Sequence, residues 1–233
     1  MYVVGVDLSI NYPALCICED FDKFEFIGIV NNPKISNVNL NYILTETAKY
    51  EDVHILDISQ ERHRNHIYHV DERNNILNFD RIISTIVMEL RKRVTSDNVV
   101  IAMEGISYGS SGSSLIDISM LTGAFRRAMV KEVLNNNANK MFVFAPSELK
   151  NAICLKGNAT KTEVLAQFLD DPGIPKAAES GMRRFMYEHV PNENGNLATS
   201  EYVYKSNKDE VCSPFNDMID AYLSVLKIFK SVS

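Results

Sequence analysis

The sequence predicts an α/β protein: a five-stranded mixed sheet, made of a three-strand antiparallel meander plus parallel strands, with helices on both faces. Three observations support this. Short apolar runs open the chain with only turn residues between them, strand-like and helical runs then alternate, and a long apolar helix closes the chain.

Residues 2–8, 14–19 and 24–30 are rich in Val, Ile, Phe and Cys. Asn11-Tyr12-Pro13 and an acidic stretch at 20–22 separate them, which gives the meander. A helix is expected over 39–50, and VHILDI (53–58) reads as a strand or a buried segment. From Asn75 to Arg93 the apolar residues Ile76, Phe79, Ile82, Ile83, Ile86 and Leu90 keep helical spacing. The run ends in Arg91-Lys92-Arg93, which suits a helix C-terminus. NVVIAME is a buried strand, followed by the Gly/Ser loop 107–114, read as a mobile flap, and a helix over about 114–135. MFVFAPS is the next strand, SELKNAI a short helix and LKGNAT a turn. Thr160 or Thr162 can cap the helix KTEVLAQFL. Residues 170–214 are least regular, with a basic helix near Gly181–His189 and an exposed polar stretch, PNENGNLATS. The last helix runs from Asn216 to about Lys230.

A chain of 233 residues, 45% hydrophobic and 23% charged, is expected to form one domain, with insertions near 31–74 and 185–212. No apolar stretch approaches the ~20 residues of a membrane span. MYVVGVDLS lacks the features of a signal peptide, so a cytoplasmic location is expected. Cys16, Cys18, Cys154 and Cys212 have no zinc spacing and read as buried, reduced thiols. His63, His66 and His69 recur every three residues without a metal motif and read as surface histidines. The net charge of −6 argues against a uniformly basic nucleic-acid binder. Residues 121–184, however, hold ten Lys/Arg against six Asp/Glu, enough for one positive face.

Four carboxylates carry the chemistry. Asp7 ends the first apolar run and Glu104 ends VVIAM, so each should project from a strand end. Asp217 and Asp220 are three residues apart at the head of the last helix, which puts them on one face. Asp217 can also serve near the helix N-terminus. Asp220 lies inside the apolar run, where capping does not explain it. Four carboxylates converging on one point repel unless divalent cations separate them. Hard oxygen donors suit Mg2+, or Mn2+ in its place. Two such ions suit phosphodiester hydrolysis.

Five segments in order, GVDLSINYPALCI, VVIAMEGISYG, FVFAPSELKNAI, KGNATKTEVLAQF and NDMIDAYLSV, carry a resemblance. The chain resembles the RuvC-type Holliday-junction resolvases of the ribonuclease H-like superfamily, especially their divergent phage and viral members. That resemblance implies a ribonuclease H-like fold and a structure-selective endonuclease that nicks branched DNA using two Mg2+ ions. It implies that Asp7, Glu104, Asp217 and Asp220 are catalytic metal ligands, with Lys161 beside the scissile phosphate. Lys150 and Lys156 become backbone contacts. A homodimer follows from the need to nick a four-way junction symmetrically, with the long helices over 75–93 and 114–135 as available surfaces. Two departures stand out. Leu8-Ser9 occupies the usual Pro-Gly position, and Ser107 holds the place of the stacking aromatic, leaving Tyr108 as its nearest substitute. Arg126, Arg127, Arg183 and Arg184 read as helix-surface residues open to DNA contact.

Three other readings are weighed against these motifs. A ribonuclease H acting on RNA–DNA hybrids typically adds an Asp near the strand FVFAPSEL, which offers none. A non-catalytic nucleic-acid-binding protein would not need all four acids together with Lys161. An actin-like ATP-binding protein needs two such domains, more than this length holds.

Overall fold

The computed structural model describes residues 1–60, 67–106, 113–191, 202–205 and 210–232. The predicted meander is present: β1 (Tyr2–Asp7), β2 (Ala14–Glu19) and β3 (Lys23–Val30) pair antiparallel in sequence order. Helix α1 (Asn37–Thr47) then supplies the crossover to β4 (Val53–Asp57), which pairs parallel to β3. The sheet therefore has six strands rather than the expected five. VHILDI is short and only half-buried, and its place at the sheet edge explains why its pattern was ambiguous.

Helix α2 (Tyr68–Arg93) starts seven residues before the expected Asn75, on a polar and exposed first stretch where apolar spacing carries no signal. Strand β5 (Val99–Glu104) returns to pair parallel with β1, and α3 (Ser113–Glu132) leads to β6 (Met141–Phe144), parallel to β5. The order β4-β3-β2-β1-β5-β6 is the ribonuclease H-like arrangement, extended by β4 at the meander edge. Then follow α4 (Pro146–Cys154), α5 (Lys161–Asp170) and α6 (Gly181–His189). A two-strand hairpin, β7 (Tyr204–Lys205) with β8 (Glu210–Val211), precedes α7 (Phe215–Val232). No described helix is long and apolar enough to cross a membrane.

Alternation along the strands separates two cores. Val3, Cys16, Cys18, Phe26 and Ala102 face the layer that contains α7, whereas Val4, Val6, Leu15, Ile101 and Met103 face α2 and α3. Cys16 and Cys18 are buried on the same face as expected, and all four cysteines are free thiols. Helix α7 is buried on nearly every side, between the sheet and helices α4 and α5. Its backbone approaches β1 at Gly5, where an added Cβ would sit on the Ala221 carbonyl oxygen and 2.9 Å from Val225 Cγ2.

Helix α6 differs from the basic surface helix expected. It buries Met182, Phe185 and Met186 in the α7-side core. Arg184 is exposed, but Arg183 is structural. Its Nε donates to the Leu169 carbonyl at 2.8 Å and its Nη1 to Ala178 at 3.1 Å, tying α6 to the last turn of α5. We expect Arg183→Ala to cost about 2 kcal/mol, the range for charge-assisted hydrogen bonds to partly buried carbonyls, read as a lower urea midpoint.

Candidate active site

Strands β1 and β5 end side by side. Val6 pairs with Met103, so Asp7 and Glu104 come next on parallel strands about 4.8 Å apart. Asp7 shares its face with Gly5, and Glu104 shares its face with Ala102, so both carboxylates belong to the α7 side. Helix α7 starts there and runs back along β1. Asp217 lies in its first turn, Asp220 three residues on, and Ala221 meets Gly5. The missing Cβ of Gly5 thus sets how closely the helical pair approaches the strand pair.

Lys161 opens α5 and brings the cation. Thr160 caps that helix in a reciprocal box: the Glu163 N–H donates to Thr160 Oγ1 at 3.2 Å, and the Thr160 N–H to Glu163 Oε2 at 2.8 Å. Of the two threonines considered, Thr160 is the cap. Lys161 Nζ stands 4.0 Å from Asp220 Oδ2, with its side chain half-exposed.

The electrostatics mark the four acids as one group. Burial raises the Asp7 carboxyl well above its usual range; Asp217, Asp220 and Glu104 add to this, and Lys161 opposes it. Burial and Asp220 push Glu104 to about 7, against Lys150 and Lys161. Asp217 rises to about 6, mainly through burial and despite a hydrogen bond from Ser213. Asp220 is also raised by burial, with Lys161 the main opposing charge.

The donor set fits a hard divalent cation. All four groups offer carboxylate oxygens, and Asp217 Oδ2 is buried without a hydrogen-bond partner. Among the described residues, no three His, Cys, Asp or Glu side chains form a ready-made metal cage. The four acids are thus grouped electrostatically around Asp7 rather than closed into a coordination shell among the described residues. A cavity of about 160 Å³ opens beside Asp7 and Glu104, lined also by Leu8, Ile106, Ile118 and Thr122. It lies at the carboxyl ends of β1 and β5, where the chain leaves in opposite directions along the sheet. Ligand sites in open α/β sheets favour such a crevice.

The remaining predicted residues divide. Lys150 on α4 acts electrostatically on Glu104 and Asp220 and so belongs to the same group. Lys156 is ion-paired with Glu163 beside the start of α5. Arg126 and Arg127 lie on α3, across the sheet from α7. Arg127 is exposed, and Arg126 Nε is buried with no hydrogen-bond partner. Tyr108, with most of the Gly/Ser loop, lies outside the described residues, as do His63 and His66; His69 is exposed. The sequence reading missed Asn216, whose Nδ2 donates to Asp220 Oδ2 at 3.2 Å. Its signal was a polar residue four positions before an acid in an apolar run. Thr122 carried no signal, because only the fold brings α3 to the cavity.

No family model and no curated protein matches the chain. Among solved structures, RuvC of Thermus thermophilus is 14% identical, with 100% of this chain and 97% of that one covered at a TM-score of 0.49. The T. thermophilus RuvC complex with Holliday junction substrate is 15% identical, covering 99% and 94%, at a TM-score of 0.48. The yeast mitochondrial Holliday junction resolvase Ydc2 is also similar, at 13% identity, covering 97% and 76%, with a TM-score of 0.47.

Proposed function

We propose that the chain is a divalent-metal-dependent endonuclease that nicks branched DNA such as a four-way junction. The observation that carries this reading is the group of four carboxylates at the ends of β1 and β5 and the head of α7, three of which act on Asp7, with Lys161 as neighbouring cation. Asp7, Glu104, Asp217 and Asp220 would hold the metal. Two Mg2+ ions, or Mn2+ in their place, would supply activation of the attacking water and stabilisation of the leaving 3′ oxygen.

The residues of the chain do the rest. Asp217 Oδ2, buried and unpartnered, is held ready as a donor by the packing of α7. Asn216 and Lys161 orient Asp220. Lys161, half-exposed beside Asp220, is free to meet a phosphate there and to offset charge on its non-bridging oxygens. Lys150 and Lys156 add sequence-independent phosphate contacts. Paired nicks need two sites, so we include a homodimer in the proposal. The exposed Ile76, Leu77 and Met88 of α2 and Ile116 and Met120 of α3 give it an apolar face.

A labelled synthetic four-way junction, a linear duplex and an RNA–DNA hybrid, each with and without magnesium, test this reading. Paired nicks near the branch are expected only with magnesium, and Lys161→Ala is expected to slow them about 100-fold. Cleavage confined to the hybrid would move the chain to ribonuclease H chemistry. No metal-dependent cleavage of any substrate would sink the enzyme reading.

A further inference from the structure

The loop that follows Asp7 is fastened by side chains from other elements. Asp7 pairs with Ala14 at the end of the β1–β2 ladder, so residues 8–13 form the loop between them. Backbone bonds hold its far half: the Ile29 N–H donates to the Pro13 carbonyl at 2.9 Å, and the Asn31 N–H to the Asn11 carbonyl at 2.8 Å. The near half, Leu8 to Ile10, depends on two side chains among the described residues. Ser9 Oγ accepts from the Tyr12 N–H at 2.9 Å, and the Ile10 carbonyl accepts from Asn31 Nδ2 at 2.7 Å. Leu8 lines the cavity together with Asp7 and Glu104. This half of the loop therefore carries the chain from the first carboxylate past the site.

Asn31 is fully buried, and α2 dictates which way its amide points. Arg81 Nη2 donates to Asn31 Oδ1 at 3.1 Å and to Asn78 Oδ1 at 2.6 Å. Asn78 Oδ1 also accepts from Asn31 Nδ2 at 3.1 Å, and Arg81 Nη1 donates to Gln60 Oε1. A guanidinium has donors only. The oxygen of Asn31 must then face Arg81, which leaves its nitrogen for Ile10. Stability does not call for a cation here. The partners of Arg81 among the described residues are neutral amides, and burial lowers its pKa with no carboxylate to offset it. A partly desolvated charge without a counter-charge is a cost to the fold.

We infer that Asn31 and Arg81 are positioning residues for Asp7: the amide holds the Ile10 carbonyl, and the guanidinium fixes the amide. This inference rests on the nuclease reading above. The ladder with β2 ends at Asp7, so restraint beyond that carboxylate comes from the loop. Hydrogen bonds behind a ligand set its orientation and so its affinity for metal.

Asn31→Leu, Arg81→Gln and Arg81→Lys in the full chain test this. Leucine keeps the branched outline of Asn31 and gives up its hydrogen bonds. Glutamine accepts as well as donates, so it no longer dictates the amide, whereas lysine is donor-only and should rescue. In EDTA, hydrogen exchange at the Tyr12 amide, which depends on Ser9, should be faster in the Leu and Gln variants, with Val4 and Val6 in β1 unchanged. The magnesium concentration that half-saturates the rise in melting temperature, measured without DNA, should increase about 10-fold in both. Nicking at fixed magnesium should fall with it, and Arg81→Lys should restore both. A merely structural role would speed exchange along β1 as well, and would leave the magnesium half-saturation of the folded chain unchanged. That result in both variants, beside a parent that magnesium stabilises, would overturn the positioning role and leave the nuclease reading standing. A parent that binds magnesium yet cuts nothing would fail the nuclease reading alone. A parent that neither responds to magnesium nor nicks a junction would overturn both.

Discussion

Asp7→Asn is expected to abolish magnesium-dependent nicking, by about 10³-fold or more, and also to raise the melting temperature of the metal-free chain at pH 8. The two effects share one cause. Asp7 is half-buried, and Asp217, Asp220 and Glu104 each disfavour its charge. An amide of the same shape removes that repulsion together with an anionic ligand. A carboxyl whose folded pKa is raised binds more protons folded than unfolded, so it withdraws stability as pH rises. The loss begins near the unfolded carboxylate values of about 4 and ends once pH passes the folded values, about 6 for Asp217 and about 7 for Glu104. Glu163 works in the opposite direction, its carboxyl pulled to about 2 by Lys156, but its contribution is already fully present at pH 5 and is lost only as pH falls further. The chain in EDTA should therefore melt several degrees lower at pH 8 than at pH 5. Magnesium should reverse this at pH 8 and do little at pH 5. Thermal melts at constant ionic strength, with and without Asp7→Asn, measure all of this. A melting temperature that rises with pH in EDTA would contradict the electrostatic grouping.

Gly5→Ala is expected to destabilise the fold by about 3 kcal/mol or more, at the upper end for overpacking a rigid core. The new methyl meets backbone, the Ala221 carbonyl oxygen, and no rotamer change can relieve that. Helix α7 must lift from β1, and Asp217 and Asp220 lift with it. Protein that still folds should thus lose magnesium-induced stabilisation out of proportion to its loss in urea midpoint. Gly28→Ala provides the contrast. Its Cβ would approach Met218 Cε at 2.9 Å and Ile55 Cδ1 at 3.0 Å, flexible side-chain ends, along with Pro214 Cβ at 2.9 Å. Its cost should be smaller, and the site should keep its response to magnesium.

Where the sequence was legible, the reason was local. Glu104 ending VVIAM, Asp7 ending VVGV and Asp220 inside an apolar helix are each anomalies against a simple periodic pattern. Period two on the strands and 3.6 on the helix then assign their faces without tertiary knowledge. The cap of α5 was legible only to within two threonines, Thr160 and Thr162, and the structure chose Thr160, whose box Glu163 completes three residues on. Arg183 failed for the converse reason. On a sequence a basic helix residue looks solvated, and only the neighbouring end of α5 supplies the carbonyls it binds. Helix α6 was missed as a core element because its apolar residues fall within a segment of irregular composition. Strand β4 has too few alternating residues to declare itself beside a sheet edge.

The sequence by itself determined the order of elements, the meander followed by parallel strands, and the placing of Asp7 and Glu104 at strand ends and of Asp217 and Asp220 on one helix face. These depend on side-chain period and on the cost of a charge in an apolar run, both properties of a few consecutive residues. Only the tertiary structure decided the sixth strand, the approach of α7 to Gly5, the place of Lys150 and Lys161 beside the acids, and the separation of Arg126 and Arg127 from them across the sheet. Those depend on which backbone passes which at a few ångströms, a relation between residues distant along the chain that no local pattern encodes.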